Sequence, residues 1–234
     1  MTWRIVVGLK KNVKDARGER VRREIVDHLN IDLPKVQTLD VYTVDATLSS
    51  AEIAQVAAGP FTDPVIQEYA INQPLASNFD MLIEVGFRPG VTDNTGRTAG
   101  EAIQYLTGRP FAAGEAVYTS TQYLFTGLTD KQIAEEIAAN FLANGLIQYW
   151  TILSRDELDP QVGVPVTVPK VVSDKAPTVR SLSLQISDEE LLDISRQGML
   201  ALNLNEMDKI KTVSYTHLRA HETPEHLVCR LLLE

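Results

Sequence analysis

The chain has 234 residues, 44% of them hydrophobic, and its 31 acidic against 22 basic residues give a net charge of −9, enough for one or two domains with a real core. No Lys/Arg stripe is interleaved with aromatics, which argues against nucleic acid as a partner; no apolar run is long enough to span a membrane, and no charged-then-apolar leader follows Met1. With Cys229 as the single cysteine no intrachain disulfide can form, which fits a reducing compartment and a cytoplasmic location.

Trp3 to Leu9 reads as a strand, and Asp15 and Gly18 occupy the first and fourth positions of a type I turn over Val13 to Gly18. A helix follows from Glu19 to Leu29, with Val21, Ile25 and Leu29 on one face. Leu39 to Asp45 is the next strand. A second helix starts at an N-cap, Ser49, with Glu52 three residues on and Leu48 stapled to Ile53. Val65 to Ile71 closes this first unit as a strand.

The same series then recurs. Val85-Gly86-Phe87-Arg88 followed by Val91, Asp93 and Gly96 repeats Val7-Gly8-Leu9-Lys10 followed by Val13, Asp15 and Gly18. Phe79, Met81, Ile83, Val85 and Phe87 alternate as in a strand with one buried face. A helix from Gly96 to Leu106, a strand from Ala116 to Phe125 and a helix from Thr129 to Leu142 follow, the last with Thr129 as N-cap, Gln132 three residues on and Leu128 stapled to Ile133. Gly145-Leu146-Ile147-Gln148-Tyr149-Trp150 answers to Pro64-Val65-Ile66-Gln67-Glu68-Tyr69 as the closing strand. The chain is thus a duplication of an α+β unit in the order β-α-β-α-β, residues 1–76 and 77–154, and such copies bury their apolar faces together.

Residues 155–212 have another texture. Frequent proline from Arg155 to Pro177 predicts extended linker, a short strand spans Val179 to Ile186, and Ser187 with Glu190, and Ile186 stapled to Leu191, opens a helix that Gly198 ends. Met199 to Met207 starts another helix. Three of the four histidines, His217, His221 and His226, and Cys229 fall in the last 22 residues, Val213 to Glu234. Read naively, that is a zinc-binding set. However, Val213 to Thr223 resembles a sequencing-library transposon adaptor translated in one frame, and His226 to Leu233 the flow-cell primer that follows it. Residues 213–234 are therefore expected to be an artefactual tail, excluded from the fold, with the natural protein continuing past Thr212.

Val7-x-x-Lys10 with Val13-x-Asp15-x-x-Gly18, and Thr62-Asp63-Pro64-Val65-Ile66-Gln67-Glu68-Tyr69, resemble the small PurS subunit of phosphoribosylformylglycinamidine synthase. Ile186 to Leu191 through Arg196, then Leu200 to Met207 and Ile210, resembles the linker segment that opens the catalytic subunit of that enzyme. The resemblance covers about residues 3–211. It implies two tandem PurS-like units forming a pseudo-dimer two-layer sandwich, then an extended linker and a short helical segment. It also implies a function: the N-terminal docking region of the ATP- and glutamine-dependent ligase of purine biosynthesis, which converts formylglycinamide ribonucleotide to formylglycinamidine ribonucleotide. Its partners would be the synthase and glutaminase domains of the same enzyme, and ATP and Mg would belong to the parent enzyme. No catalytic, cofactor-binding or metal-ligating residue is assigned within this fragment: the Trp-Ser-Glu-His-Cys-type stretch of the family, a Gly-rich phosphate loop and a glutaminase Cys/His/Glu set do not occur.

The remaining conspicuous residues have structural explanations. Gly8 and Gly86 mark a bulge or close backbone approach, His28 suits a helix end, and Glu135-Glu136 and Glu189-Glu190 read as solvated faces and helix starts. Two rivals remain: a free-standing tandem α+β module that binds a small regulatory molecule, and a metalloprotein that uses the tail.

Overall fold

The computed structural model describes residues 2–171, 183, 184 and 186–216. The described elements run β1 (Thr2–Leu9), α1 (Ala16–Leu29), β2 (Lys35–Asp45), α2 (Ser50–Ala58), β3 (Gln67–Ile71), β4 (Met81–Phe87), α3 (Asn94–Thr107), β5 (Ala116–Thr126), α4 (Lys131–Ile137) with a π-helical turn (Ala138–Leu142), β6 (Gln148–Ser154), α5 (Asp188–Gln197) and α6 (Leu204–Thr216). The fold is mixed α+β. The chain divides into two units, residues 1–171 and 172–234.

In the first unit six strands form one antiparallel sheet in the order β3-β1-β2-β5-β4-β6. Its halves are ordered alike from the outside in, and β2 and β5 join them along eleven residues each. Equivalent positions are fixed by equivalent bonds. The Thr38 and Thr119 amides each donate to the aspartate of their own copy, and Gly8 and Gly86 pair with Leu39 and Ser120. On that alignment Asp40 and Thr121 are counterparts, and they lie directly opposite one another in the β2·β5 ladder. An antiparallel pair places a residue opposite its own counterpart only on a local two-fold axis.

The side chains alternate across the sheet, so one face takes Trp3, Ile5, Val7, Val36, Val44, Met81, Ile83, Val85, Val117 and Phe125 into the helical layer. Two apolar clusters fill that layer, and both copies contribute to each: Ile53 and Val56 of α2 pack with Ile103 of α3, and Val21 and Ile25 of α1 with Ala134 and Ile137 of α4. Neither half closes a core by itself.

Local chemistry corrects several boundaries. Asp15 and Asp93 are helix N-caps rather than turn starts: their carboxylates accept from the Gly18 and Gly96 amides at 2.7 Å, so α1 and α3 begin before the glycines. At the fourth helix Asp130, not Thr129, caps, because its carboxylate accepts the Gln132 amide at 2.7 Å; that helix turns π-helical after Ile137. Ser49 with Glu52 and Ser187 with Glu190 form the expected capping boxes.

The expected linker is only partly free of packing. Residues 158–171 form a strap across the sheet face opposite the helices, with Val164 buried and Leu158 packed against it in the cluster of Val6, Leu39, Val41, Phe79, Leu82 and Leu124. Prolines 160, 165 and 169 keep it from adding a strand, so it docks through side chains.

In the second unit α5 and α6 pack through Leu191, Ile194, Met207 and Ile210. Ser195 is buried; its hydroxyl donates to the Leu202 carbonyl at 2.8 Å and accepts the Leu202 amide at 3.0 Å, which holds the connection between the helices. That connection delays α6 to Leu204, later than the sequence suggests, and α6 then runs through Thr212 to Thr216. The strand expected over Val179 to Ile186 lies mostly outside the described residues, as does the tail from His217 on, including His221, His226 and Cys229.

Candidate functional site

The duplicated signature builds two equivalent knots. In the first, Asp15 Oδ2 accepts the Thr38 amide at 2.6 Å while Oδ1 accepts that of Gly18; in the second, Asp93 does the same with Thr119, at 2.6 Å, and Gly96. Each knot therefore ties a helix start to the strand that follows. A Cβ on Gly18 would come within 2.3 Å of the Val36 carbonyl oxygen, and one on Gly96 equally close to that of Val117. Only glycine lets helix and strand approach so closely. Lys10 Nζ donates to the Pro64 carbonyl at 2.5 Å, and Arg88 Nε to those of Gln148 and Gly145 at 2.9 and 3.1 Å, each fastening the turn before an edge strand. All these signature residues are spent on backbone geometry. The turns they fasten present the same apolar pair in each copy, Val65-Ile66 and Leu146-Ile147, with Val65 78% and Leu146 87% exposed.

Residues singled out in the sequence fall into place individually. Gly8 and Gly86 reflect close approach: an added Cβ would meet Leu39 at 2.4 Å and the Tyr149 ring at 3.0 Å. His28 lies in the last turn of α1, its Nδ1 2.7 Å from the Glu24 carbonyl and its ring edge-on to Phe141. Glu135 accepts a hydrogen bond from the Trp150 indole at 2.9 Å. Glu190 is held below the usual carboxylate range by the Ser187 amide and hydroxyl.

The most unusual chemistry lies on the strap side of the sheet, at residues the sequence did not single out. Arg4 of β1 and Glu84 of β4 form a buried ion pair that reaches over the two intervening strands. Glu84 also accepts from Ser120 Oγ at 2.7 Å and Gln122 Nε2 at 2.9 Å. A buried charge persists only when paired and hydrogen-bonded, and this one is both. Above the pair a cavity of about 40 Å³ is lined by Thr43, Tyr118, Tyr149, Thr151 and strap residues Pro165 and Thr167. Burial, and the negative charge of Glu84 after it, raise the Tyr149 phenol above its ordinary range, keeping it a neutral hydrogen-bonding group.

That cavity has room for a water or two but not for a metabolite, since ligand pockets run to about 300–1,000 Å³. A wider groove of about 380 Å³ opens to solvent past Gly90, Gly114, Glu115 and Lys170. Both of its charged groups are engaged. The Ala112 and Thr47 backbone amides hold the Glu115 carboxyl down to about 2, and Lys170 pairs with Asp45. Among the described residues no group of three or more His, Cys, Asp or Glu could hold a metal ion, and no helix is long and apolar enough to cross a membrane.

No protein-family model matches the chain, and no curated protein matches it.

Proposed function

We propose that residues 1–154 are a PurS-like pseudo-dimer and that the chain is the N-terminal docking region of a phosphoribosylformylglycinamidine synthase, with residues 155–212 as its linker. One observation carries this reading: both copies of the signature occupy equivalent positions in halves that share one sheet through their β2 and β5 strands. The role is mechanical. Side chains that resemble the family's signature are consumed in holding backbone, and two equivalent turns offer exposed apolar pairs, the kind of surface that marks a protein contact. In this reading the synthase and glutaminase domains seat against the scaffold so that ammonia passes between them without release, and ATP and Mg²⁺ act in the synthase domain.

The test is complementation. The full chain is added to the synthase and glutaminase parts of such an enzyme from which the corresponding region has been deleted. Co-elution and a gain in glutamine-dependent over ammonia-dependent turnover are expected; no complex and no gain would overturn the reading. Gene sequence running past Thr212 without a Trp-Ser-Glu-His-Cys-type stretch would also defeat it.

A further inference from the structure

The strap-side face of the sheet is not two-fold symmetric in chemistry, although its backbone is. Register fixes the counterparts: Arg4 of the first copy corresponds to Leu82 of the second, Thr43 to Leu124, and Val6, Leu39 and Val41 to Glu84, Ser120 and Gln122. Every polar member of the buried network thus has an apolar counterpart. One diagonal of the face is the ion pair Arg4–Glu84; the other is Val6 and Leu82, which share an apolar cluster.

We infer that the surface along which the copies meet accepts only the opposite copy: a first repeat pairs with a second repeat, in its own chain or by exchange with a second copy of the chain, and rejects its own kind. The inference rests on the duplication alone, not on the synthase reading. Two first repeats would set Arg4 against Val6 twice, burying two guanidinium groups with no carboxylate. Two second repeats would set Glu84 against Leu82 twice. A buried charge left without its partner is strongly unfavourable. Only the mixed pairing satisfies every group. The selection matters because both repeats offer long β edges of the same length, eleven residues, and both cores need a partner copy to close.

The axis supplies a reporter. Thr121 faces Asp40 in the mixed pair but would face Thr121 of a second copy if second repeats paired, and directly opposed residues are close enough for a disulfide. Full-length Thr121→Cys in a Cys229→Ser background is unfolded, refolded at low and high protein concentration, oxidised and run without reductant. Few linked dimers are expected. Adding Arg4→Leu with Glu84→Val, which gives each site the residue type of its counterpart, removes the discrimination and raises the linked fraction at least about tenfold, the effect of about 1.4 kcal/mol, with a rise on concentration. Ile25→Ala is the control, because it weakens the core without touching the discriminating residues. The inference falls if the double variant links no more than its parent, or if Ile25→Ala links as much as the double variant.

Discussion

The two copies in the first unit agree where backbone meets backbone and differ where side chain meets side chain. Asp15, Gly18 and Thr38 match Asp93, Gly96 and Thr119 in every bond among the three, with the two glycines equally close to a strand carbonyl; only Thr38 has a further partner, Arg17 Nε at 3.0 Å. On the strap side the same alignment trades arginine for leucine and valine for glutamate. The ends of the β2·β5 ladder differ likewise. Glu115, just before β5, accepts the Thr47 amide at 2.6 Å, whereas Pro34, just before β2, packs against Gly127. Steric demands of a knot hold both copies to one solution, while a packed face is satisfied by any complementary set. Complementarity can be divided between two copies; a steric limit cannot.

The sharpest way to break this comparison is to disturb one diagonal. Arg4→Leu or Glu84→Val alone should cost about 3–5 kcal/mol in urea unfolding, because each leaves a buried charge unpaired, while the double variant should recover most of that loss and retain about 1–3 kcal/mol of it, because Gln122 and Ser120 lose their acceptor. Equal losses in single and double variants would mean that the pair contributes only bulk.

Next come the glycines. Gly18→Ala and Gly96→Ala should each cost about 1–3 kcal/mol, the range for overpacking, and by the same amount within about 0.5 kcal/mol if the knots are equivalent. Asp15→Ala and Asp93→Ala, which remove a cap, should follow at about 1–2 kcal/mol each, with faster amide exchange at Thr38 or Thr119 respectively.

The smallest effect is acidic. The Ala112 and Thr47 amides hold the Glu115 carboxyl down to about 2 when folded, below the ordinary carboxylate range, so the stabilisation it gives is complete above about 4.5 and is lost as pH falls toward 2. Amide exchange at Thr47 and Ala112 should rise across that window, and Glu115→Gln should flatten the rise.

Much of this architecture was legible in the sequence. The duplication, the capping boxes at Ser49 and Ser187 and the alternation around Ile83 are local signals, and each marks its element. The sequence leaves the starts of α1 and α3 ambiguous because Asp-x-x-Gly is shared by a type I turn and an N-cap; the deciding partner, the strand threonine, lies 23 or 26 residues away. Nothing local in the sequence pairs Arg4 with Glu84. Each is a lone charge in a strand, which alternation assigns to solvent, and the partners are 80 residues apart. The strap was equally hidden, since proline-rich composition describes a chain without ladder bonds and is silent on whether its valines dock. A charge flanked by apolar residues of both parities, as in Trp3-Arg4-Ile5-Val6-Val7, is the clue that both faces of that strand are covered.

The central β2·β5 ladder also sets a schedule. Asp40 meets Thr121 across about 80 residues of chain, and a ribosome adding 5–20 residues per second needs on the order of ten seconds to supply them. Through that interval the first repeat has left the ribosome with its longest edge unpaired, beside neighbouring nascent chains on the same messenger that show the identical edge. A neighbouring first repeat offers Val6 where Arg4 needs Glu84, so the waiting edge meets its match only when its own second repeat arrives.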